Sequence, residues 1–196
     1  MKNIRTILFD FDGTIMNTND LIIQSWQHTF RNVEGKERPV GDIVRTFGEP
    51  LWITMEKQLP QITPDEGITI YRSYLRQHLA DMIHPFPGMV ELIQKLKEQK
   101  YLTGLVTSRT KDTTYECMNR FDIAPYFDCI VSCDDTDKHK PDPEPLFIAL
   151  EKLSAKPKES IMVGWQMTLS REEINGPEGP DFTIEKPEDL LEMLTA

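Results

Sequence analysis

Cysteine is scarce in this chain: Cys117, Cys129 and Cys133 are all it has. A small, odd number excludes a disulfide framework, and a C-x3-C pair without further cysteine or clustered histidine is a poor zinc signature. All three read as ordinary reduced thiols. The four histidines, His28, His78, His84 and His139, also lack metal-ligand spacing; His139, beside Lys140, either approaches the same site or is solvent-exposed, and exposure is the simpler reading. Basic residues are outnumbered, 22 against 32 acids, for a net charge of −10. Nonspecific polyanion binders are more often basic, so this balance speaks against nucleic acid as the partner and leaves room only for a local positive pocket. No apolar run approaches the length that crosses a bilayer, and the one at residues 7–9 is too short for a signal h-region. The expectation is a cytoplasmic protein with no membrane partner. There is no internal repeat and no low-complexity tract.

What is present is an ordinary globular mixture, 39% apolar and 28% charged over 196 residues. That length suits one large domain or a core with a smaller inserted one. Short apolar runs at 4–9, 102–106, 130–132 and 160–163 read as buried parallel strands, and helical patterns alternate with them, so the fold class is α/β. In "PGMVELIQKLKEQK", Met89, Leu92, Ile93 and Leu96 share one helical face. "PEPLFIALEKL" and "KPEDLLEML" read as further helices, each with a proline near its start. Residues 17–82 differ: "LIIQSWQHTF", "LWITMEKQLP" and "ITIYRSYLRQHLADM" are amphipathic, with no convincing strand between them. They form a helical insert, a cap of 17–82 on a core of 1–16 and 83–196. The return is punctuated by "HPFPG". Trp26, Trp52 and Trp165 read most simply as packing residues; the first two lie within the insert, where a substrate-facing role is the alternative.

The first strand runs into "FDFDGT". In an open parallel sheet, ligands sit beyond the carboxyl ends of the strands. Asp10 and Asp12 are two residues apart, so in extended chain both point the same way. Gly13 permits a sharp turn, and Thr14 offers a hydroxyl and an amide to an anion. Two close carboxylates repel unless a hard cation such as Mg²⁺ offsets their charge. One carboxylate can then act as a nucleophile in phosphoryl transfer and its neighbour as acid and base. As a plain turn the stretch would need only Asp and Gly; the full string behind a buried strand is more specific.

Two other stretches fit that chemistry. "GLVTSRT" ends a second strand with Thr107, Ser108 and Arg109, and a hydroxyl there can bond a transferring phosphoryl oxygen, although strand-end Thr and Ser are common caps. "DKHKPDPEP" supplies Lys140, whose ammonium can neutralise both nucleophile and phosphoryl group; alone it would read as a surface lysine.

Together these strings resemble the haloacid dehalogenase superfamily: "DFDGT" as its first motif, Thr107 in "LVTS" as its second, Lys140 in "KPDPEP" as its third. The chain looks like the phosphoglycolate phosphatase and β-phosphoglucomutase branch, and "NTNDLII" and "KPDPEP" also resemble its HPr-associated bacterial pyrophosphatases. The resemblance implies a Rossmann-like core with a mobile helical cap and a Mg²⁺-dependent hydrolase acting on a small phosphorylated compound, phosphoglycolate or pyrophosphate. It implies Asp10 as nucleophile, Asp12 as general acid/base, Mg²⁺ on the Asp10 carboxylate and the Asp12 carbonyl, and Thr107 and Lys140 on the phosphoryl group. Gly13, Thr14, Asn17, Gly48 in "TFGEP", Ser108 and Arg109 are the further substrate-binding candidates, although Asn17 reads as well as an Asx turn and Gly48 as an interhelical turn. Monomer and homodimer are both compatible.

The pattern breaks after Gly164. The resemblance leads one to expect an acid there, but "WQMTLSREEI" follows and no acid occurs before Glu172. Ser170 and Glu173 fit a helix capping box better than a metal site. A helix and strand, about 20 residues with their connections, are absent at that point, either lost from the protein or omitted from the sequence. An edge of the sheet would then need new cover. Three alternatives follow: a sugar phosphomutase using the same phosphoaspartate, a receiver-type signalling domain, and a binding protein without turnover. The long insert speaks against the receiver, whose connections are short.

Overall fold

Thr6–Phe9 alternates its side chains between two apolar layers, and this makes it the central strand, β1. Ile7 and Phe9 enter one core cluster and Leu8 enters another, so both faces of the sheet are covered. The computed structural model describes residues 3–164 and 180–195. In it β1 pairs in parallel with β4 (Leu102–Val106) on one side and β6 (Ser160–Val163) on the other. Strand β5 (Cys129–Val131) continues beyond β4, giving the order β5-β4-β1-β6. The chain steps outward from β1 to β4 and β5, then returns to the far side of β1. Strand order therefore reverses at β1, which is where open α/β sheets place their ligand crevice. Among the described residues β6 has no second strand partner, and its Met162 is 36% exposed.

Helix α5 (Met89–Glu98) packs Met89, Leu92, Ile93 and Leu96 onto the first cluster, as its spacing predicts. Helix α6 (Lys111–Arg120) adds Cys117 and Met118 to the same cluster, and α8 (Pro187–Thr195) adds Leu190 and Leu194. Helix α7 (Glu144–Lys152) covers the other face with Ala149 and Leu150. The four strands lie where the apolar runs place them, within two residues at each end.

Between β1 and α5 the chain leaves the sheet and returns. It departs through β2 (Met16–Asn17) and comes back through β3 (His84–Pro85), which pair as a short antiparallel ribbon. Beyond the ribbon lie α1 (Asn19–Glu34), α2 (Val40–Val44), α3 (Leu51–Gln58) and α4 (Pro64–Met82). These helices have their own core of Trp26, Phe30, Ile43, Met55, Leu59 and Tyr71. Trp26 stacks on Phe30 at 5.4 Å between centroids and meets Tyr71 edge-on at 5.5 Å. The start of α4 is fixed by a reciprocal cap: Thr63 and Glu66 satisfy each other's backbone amides, and Pro64 opens the helix. No helix among the described residues is long and apolar enough to cross a membrane. The expectations for Trp165, Ser170 and Glu173 concern residues outside those described.

Close packing in the sheet is tested at Gly104, in the middle of β4. A Cβ there would stand 2.6 Å from Leu8 Cδ2, 3.1 Å from Cys129 Sγ and 3.3 Å from Leu153 Cδ1. Overpacking a filled interior costs about 1–3 kcal/mol. Gly104→Ala is therefore expected to lower the urea midpoint by a corresponding amount at unchanged m-value. A variant as stable as the parent would show that this layer has slack.

Candidate functional site

Asp10 follows β1 directly, and its amide donates to Val163 O at 2.9 Å, so β6 anchors it. Phe11 then turns inward and is fully buried. Its carbonyl accepts the amides of Thr14, Ile15 and Met16, closing a tight loop in which Gly13 takes φ 73°. With Phe11 committed to the core, the two flanking acids are left on the cleft side of the strand end.

Each acid has its own cation. Lys140 Nζ donates to Asp10 Oδ1 at 2.6 Å and to Val106 O, at the end of β4, at 3.2 Å. Arg109 Nε donates to Asp12 Oδ2 at 2.7 Å. All four side chains are mostly shielded from water, Arg109 most of all at 12% exposure. Burial pushes the Asp10 carboxyl above its ordinary value, and the Lys140 ammonium pulls it back without cancelling the effect. Burial disfavours the Arg109 charge, but the Asp12 carboxylate outweighs it and holds the guanidinium above its ordinary value. Asp12 Oδ1 is buried and has no hydrogen-bond partner among the described residues. An unmatched carboxylate oxygen is costly, so this atom is set to meet a donor that comes with a ligand.

The hydroxyls at the end of β4 divide their tasks. Thr107 is buried, its amide bonds Val131 O, and its Oγ1 accepts the Arg109 amide at 3.2 Å. Ser108 Oγ donates to Gly48 O at 2.5 Å, linking the core to the helical insert. A second link is the edge-on contact of Trp52, on α3, with His139 at 5.1 Å. His139 is thus half-buried against the insert, not solvent-exposed as expected, because the indole covers the loop that carries Lys140.

Asp10, Asp12, Thr107, Ser108, Arg109, Lys140 and Gly48 converge on one cleft of about 150 Å³ between core and insert. Gly13 and Thr14 form the turn beneath it, Thr14 itself being buried, and Asn17 lies in the ribbon opposite His84. These three are not among the residues that line the cleft. The insert contributes wall residues that sequence reasoning left unassigned, among them Glu49, held by Lys57 at 2.8 Å, and the buried Tyr71. "TFGEP" was the only signal for the first; nothing local marks the second. The three thiols are free, and burial pushes Cys117 and Cys129 up to about 11 and Cys133 to about 12, so none is a ready nucleophile.

Does the donor set suit Mg²⁺? No group of three His, Cys, Asp or Glu side chains among the described residues forms a metal cage. Magnesium does not require one: it is commonly held by one or two carboxylates, waters and a substrate phosphate. Asp10, with its carboxylate, and Asp12 beside it line the cleft at one strand end and offer the hard oxygens that fit that mode.

Residues 7–167 match the haloacid dehalogenase-like hydrolase family. Among curated proteins the chain is 33% identical to "Pyrophosphatase PpaX" of Bacillus mycoides, over 98% of this chain and 97% of that one. It is 34% identical to the protein of the same name from Anoxybacillus flavithermus, with the same coverage. Both alignments span 212 positions, more than the 196 residues here, so these relatives carry residues with no counterpart in this chain. Among solved structures, a protein assigned as a phosphoglycolate phosphatase from Lactobacillus plantarum superposes with TM-score 0.71 at 26% identity, over 83% of this chain and 77% of that one. A haloacid dehalogenase-like family hydrolase from Streptococcus pneumoniae reaches TM-score 0.81 over 99% of this chain and 100% of its own, and at 21% identity it supports the fold alone.

Proposed function

Because the chain belongs to the haloacid dehalogenase-like hydrolase family, we propose that it is a phosphohydrolase that cleaves a small phosphate compound, pyrophosphate first and phosphoglycolate second, through a phosphorylated Asp10. The observation that carries this is the meeting of Lys140 and Asp10, 130 positions apart in the chain and 2.6 Å apart in space. Full-length likeness to proteins named pyrophosphatases supports the first substrate. A phosphoglycolate phosphatase assignment at 26% identity supports the second.

In this reading an Asp10 carboxylate oxygen attacks phosphorus in line, and the bond from phosphorus to the leaving oxygen breaks. Asp12 gives its proton to that oxygen. Asp12, now a carboxylate, takes a proton from the water that attacks the phosphorylated Asp10, releasing inorganic phosphate and restoring Asp10. Lys140 and Thr107 bind the phosphoryl oxygens, and the walls given by the insert exclude bulk water. Mg²⁺, held by the Asp10 carboxylate and the Asp12 carbonyl, would supply further neutralisation of phosphoryl charge.

The test is a phosphate-release screen over pyrophosphate, phosphoglycolate and hexose phosphates, with magnesium and with EDTA. Pyrophosphate is expected to give the highest kcat/KM. Chelation is expected to lower it about a hundredfold, since a Lewis acid contributes several kcal/mol. One observation favours a second reading, a binding protein without turnover: no third side chain joins Asp10 and Asp12 in a metal-holding cluster among the described residues. Phosphate release no greater than that of an Asp10→Asn control would decide for it.

A further inference from the structure

We propose that Arg109 selects substrates whose leaving group carries its own negative charge, holding Asp12 with one edge of its guanidinium while another meets that second anion. This inference rests on the phosphohydrolase reading of the cleft and adds a substrate class to it.

The backbone of Arg109 is pinned on both sides. Its amide donates to Thr107 Oγ1 at 3.2 Å, and its carbonyl accepts the Cys133 amide at 3.0 Å. The side chain leaves the end of β4 with its guanidinium over the Phe11 ring, 5.3 Å from the centroid. There it is only 12% exposed and shares the cleft lining with Asp10, Asp12 and Lys140.

A guanidinium has five N–H donors in a fixed fork. Arg109 uses few of them. Nε is taken by Asp12 Oδ2 at 2.7 Å, and Nη1 reaches Thr113 O only at 3.4 Å, beyond the ordinary range. Nη2 has no hydrogen-bond partner among the described residues. Nη2 is not among the buried atoms that lack a partner, so it is open to solvent and within reach of a ligand. The geometry that uses such a fork best is a planar, two-pronged anion, a phosphate or a carboxylate.

Charge counting points the same way. A phosphoryl group arriving at Asp10 is served by Lys140, which stands against the nucleophile. A phosphate ester with an uncharged leaving group makes no further demand for a cation. Pyrophosphate does, because its leaving group is itself a phosphate, and phosphoglycolate does, because its leaving group carries a carboxylate. Arg109 lies beside Asp12, the residue proposed to protonate the leaving oxygen, so an anion joined to that oxygen falls on the Arg109 side of the cleft. The cleft's other acid, Glu49, is engaged by Lys57 and Thr54, which limits its repulsion of that anion.

The experiment compares kcat/KM for pyrophosphate, phosphoglycolate and p-nitrophenyl phosphate in the parent, Arg109→Gln and Arg109→Lys. Loss of a charge-assisted bidentate contact is expected to lower Arg109→Gln about a hundredfold on the two doubly anionic substrates, mainly through KM, and about tenfold or less on p-nitrophenyl phosphate. Arg109→Lys keeps the charge without the fork and is expected to fall between. Equal fold-losses on all three substrates would overturn the proposal. A shift for pyrophosphate alone would assign the second anion as a phosphate; a shift for phosphoglycolate alone would assign it as a carboxylate. Calorimetric binding to the unsubstituted protein gives a readout independent of variant folding and of turnover. Imidodiphosphate is expected to bind at least about tenfold tighter than orthophosphate, and equal affinity would also overturn the proposal. Absence of turnover with that preference intact would count against the hydrolase reading alone.

Discussion

Asp10→Asn is expected to lower phosphate release by about 10⁴-fold or more, the scale seen when a nucleophile is removed from a working set. The asparagine keeps the shape of the side chain and an oxygen for Lys140, but its amide is too poor a nucleophile to form the proposed phosphorylated intermediate. The stability cost is expected to be small by comparison, because two changes oppose each other. Burial holds the folded-state pKa of Asp10 above its ordinary 3.8. Stability from the protonated form is therefore present below the unfolded pKa and is lost as pH rises through the folded one. At neutral pH the ionised Asp10 is a liability that asparagine removes, while Lys140 loses its counter-charge. Calorimetric unfolding alongside the phosphate assay separates the two effects. Residual turnover within tenfold of the parent would remove Asp10 from the role of nucleophile.

The same residues show how far the sequence could be read. The end of β1 was legible because the determinants are local: a buried apolar run, then acids at i and i+2 around a phenylalanine that must turn inward. The helical nature of the insert was legible from amphipathic spacing. Helix α6 was not, because "KDTTYECMNR" buries only Thr114, Cys117 and Met118 and presents no apolar stripe. The β2–β3 ribbon was invisible, since two residues per strand carry no period. The pairing of Lys140 with Asp10 was suggested by resemblance alone, because nothing in the spacing of 130 positions specifies a contact. Arg109 was expected on the substrate, and its bond to Asp12 is a tertiary fact that follows from the direction in which β4 ends. The half-burial of His139 against Trp52 was missed for the same reason: a loop histidine reads as exposed until the partner that covers it is placed by the fold.

The pairing of Lys140 with Asp10 predicts more than a loss of rate. Lys140→Gln removes the largest influence that lowers the Asp10 pKa, while the burial that raises it stays. The acid limb of kcat/KM, which reports the free enzyme, is therefore expected to move to higher pH, because Asp10 in its proposed role as nucleophile must be ionised to attack. At its optimum the variant is expected to be about 10³-fold slower, having lost charge stabilisation at both the nucleophile and the phosphoryl oxygens. Stability should fall too. Removing one member of a buried pair costs about 3–5 kcal/mol, and side-chain exposures of 22% and 23% place this pair toward the lower end. The double variant Asp10→Asn/Lys140→Gln is expected to regain part of that loss, since neither charge is then left alone, and the cycle measures the coupling directly. An acid limb that stays where it was in Lys140→Gln would mean that the lysine does not set the charge state of Asp10, and the proposed division of labour at the end of β1 would fail with it.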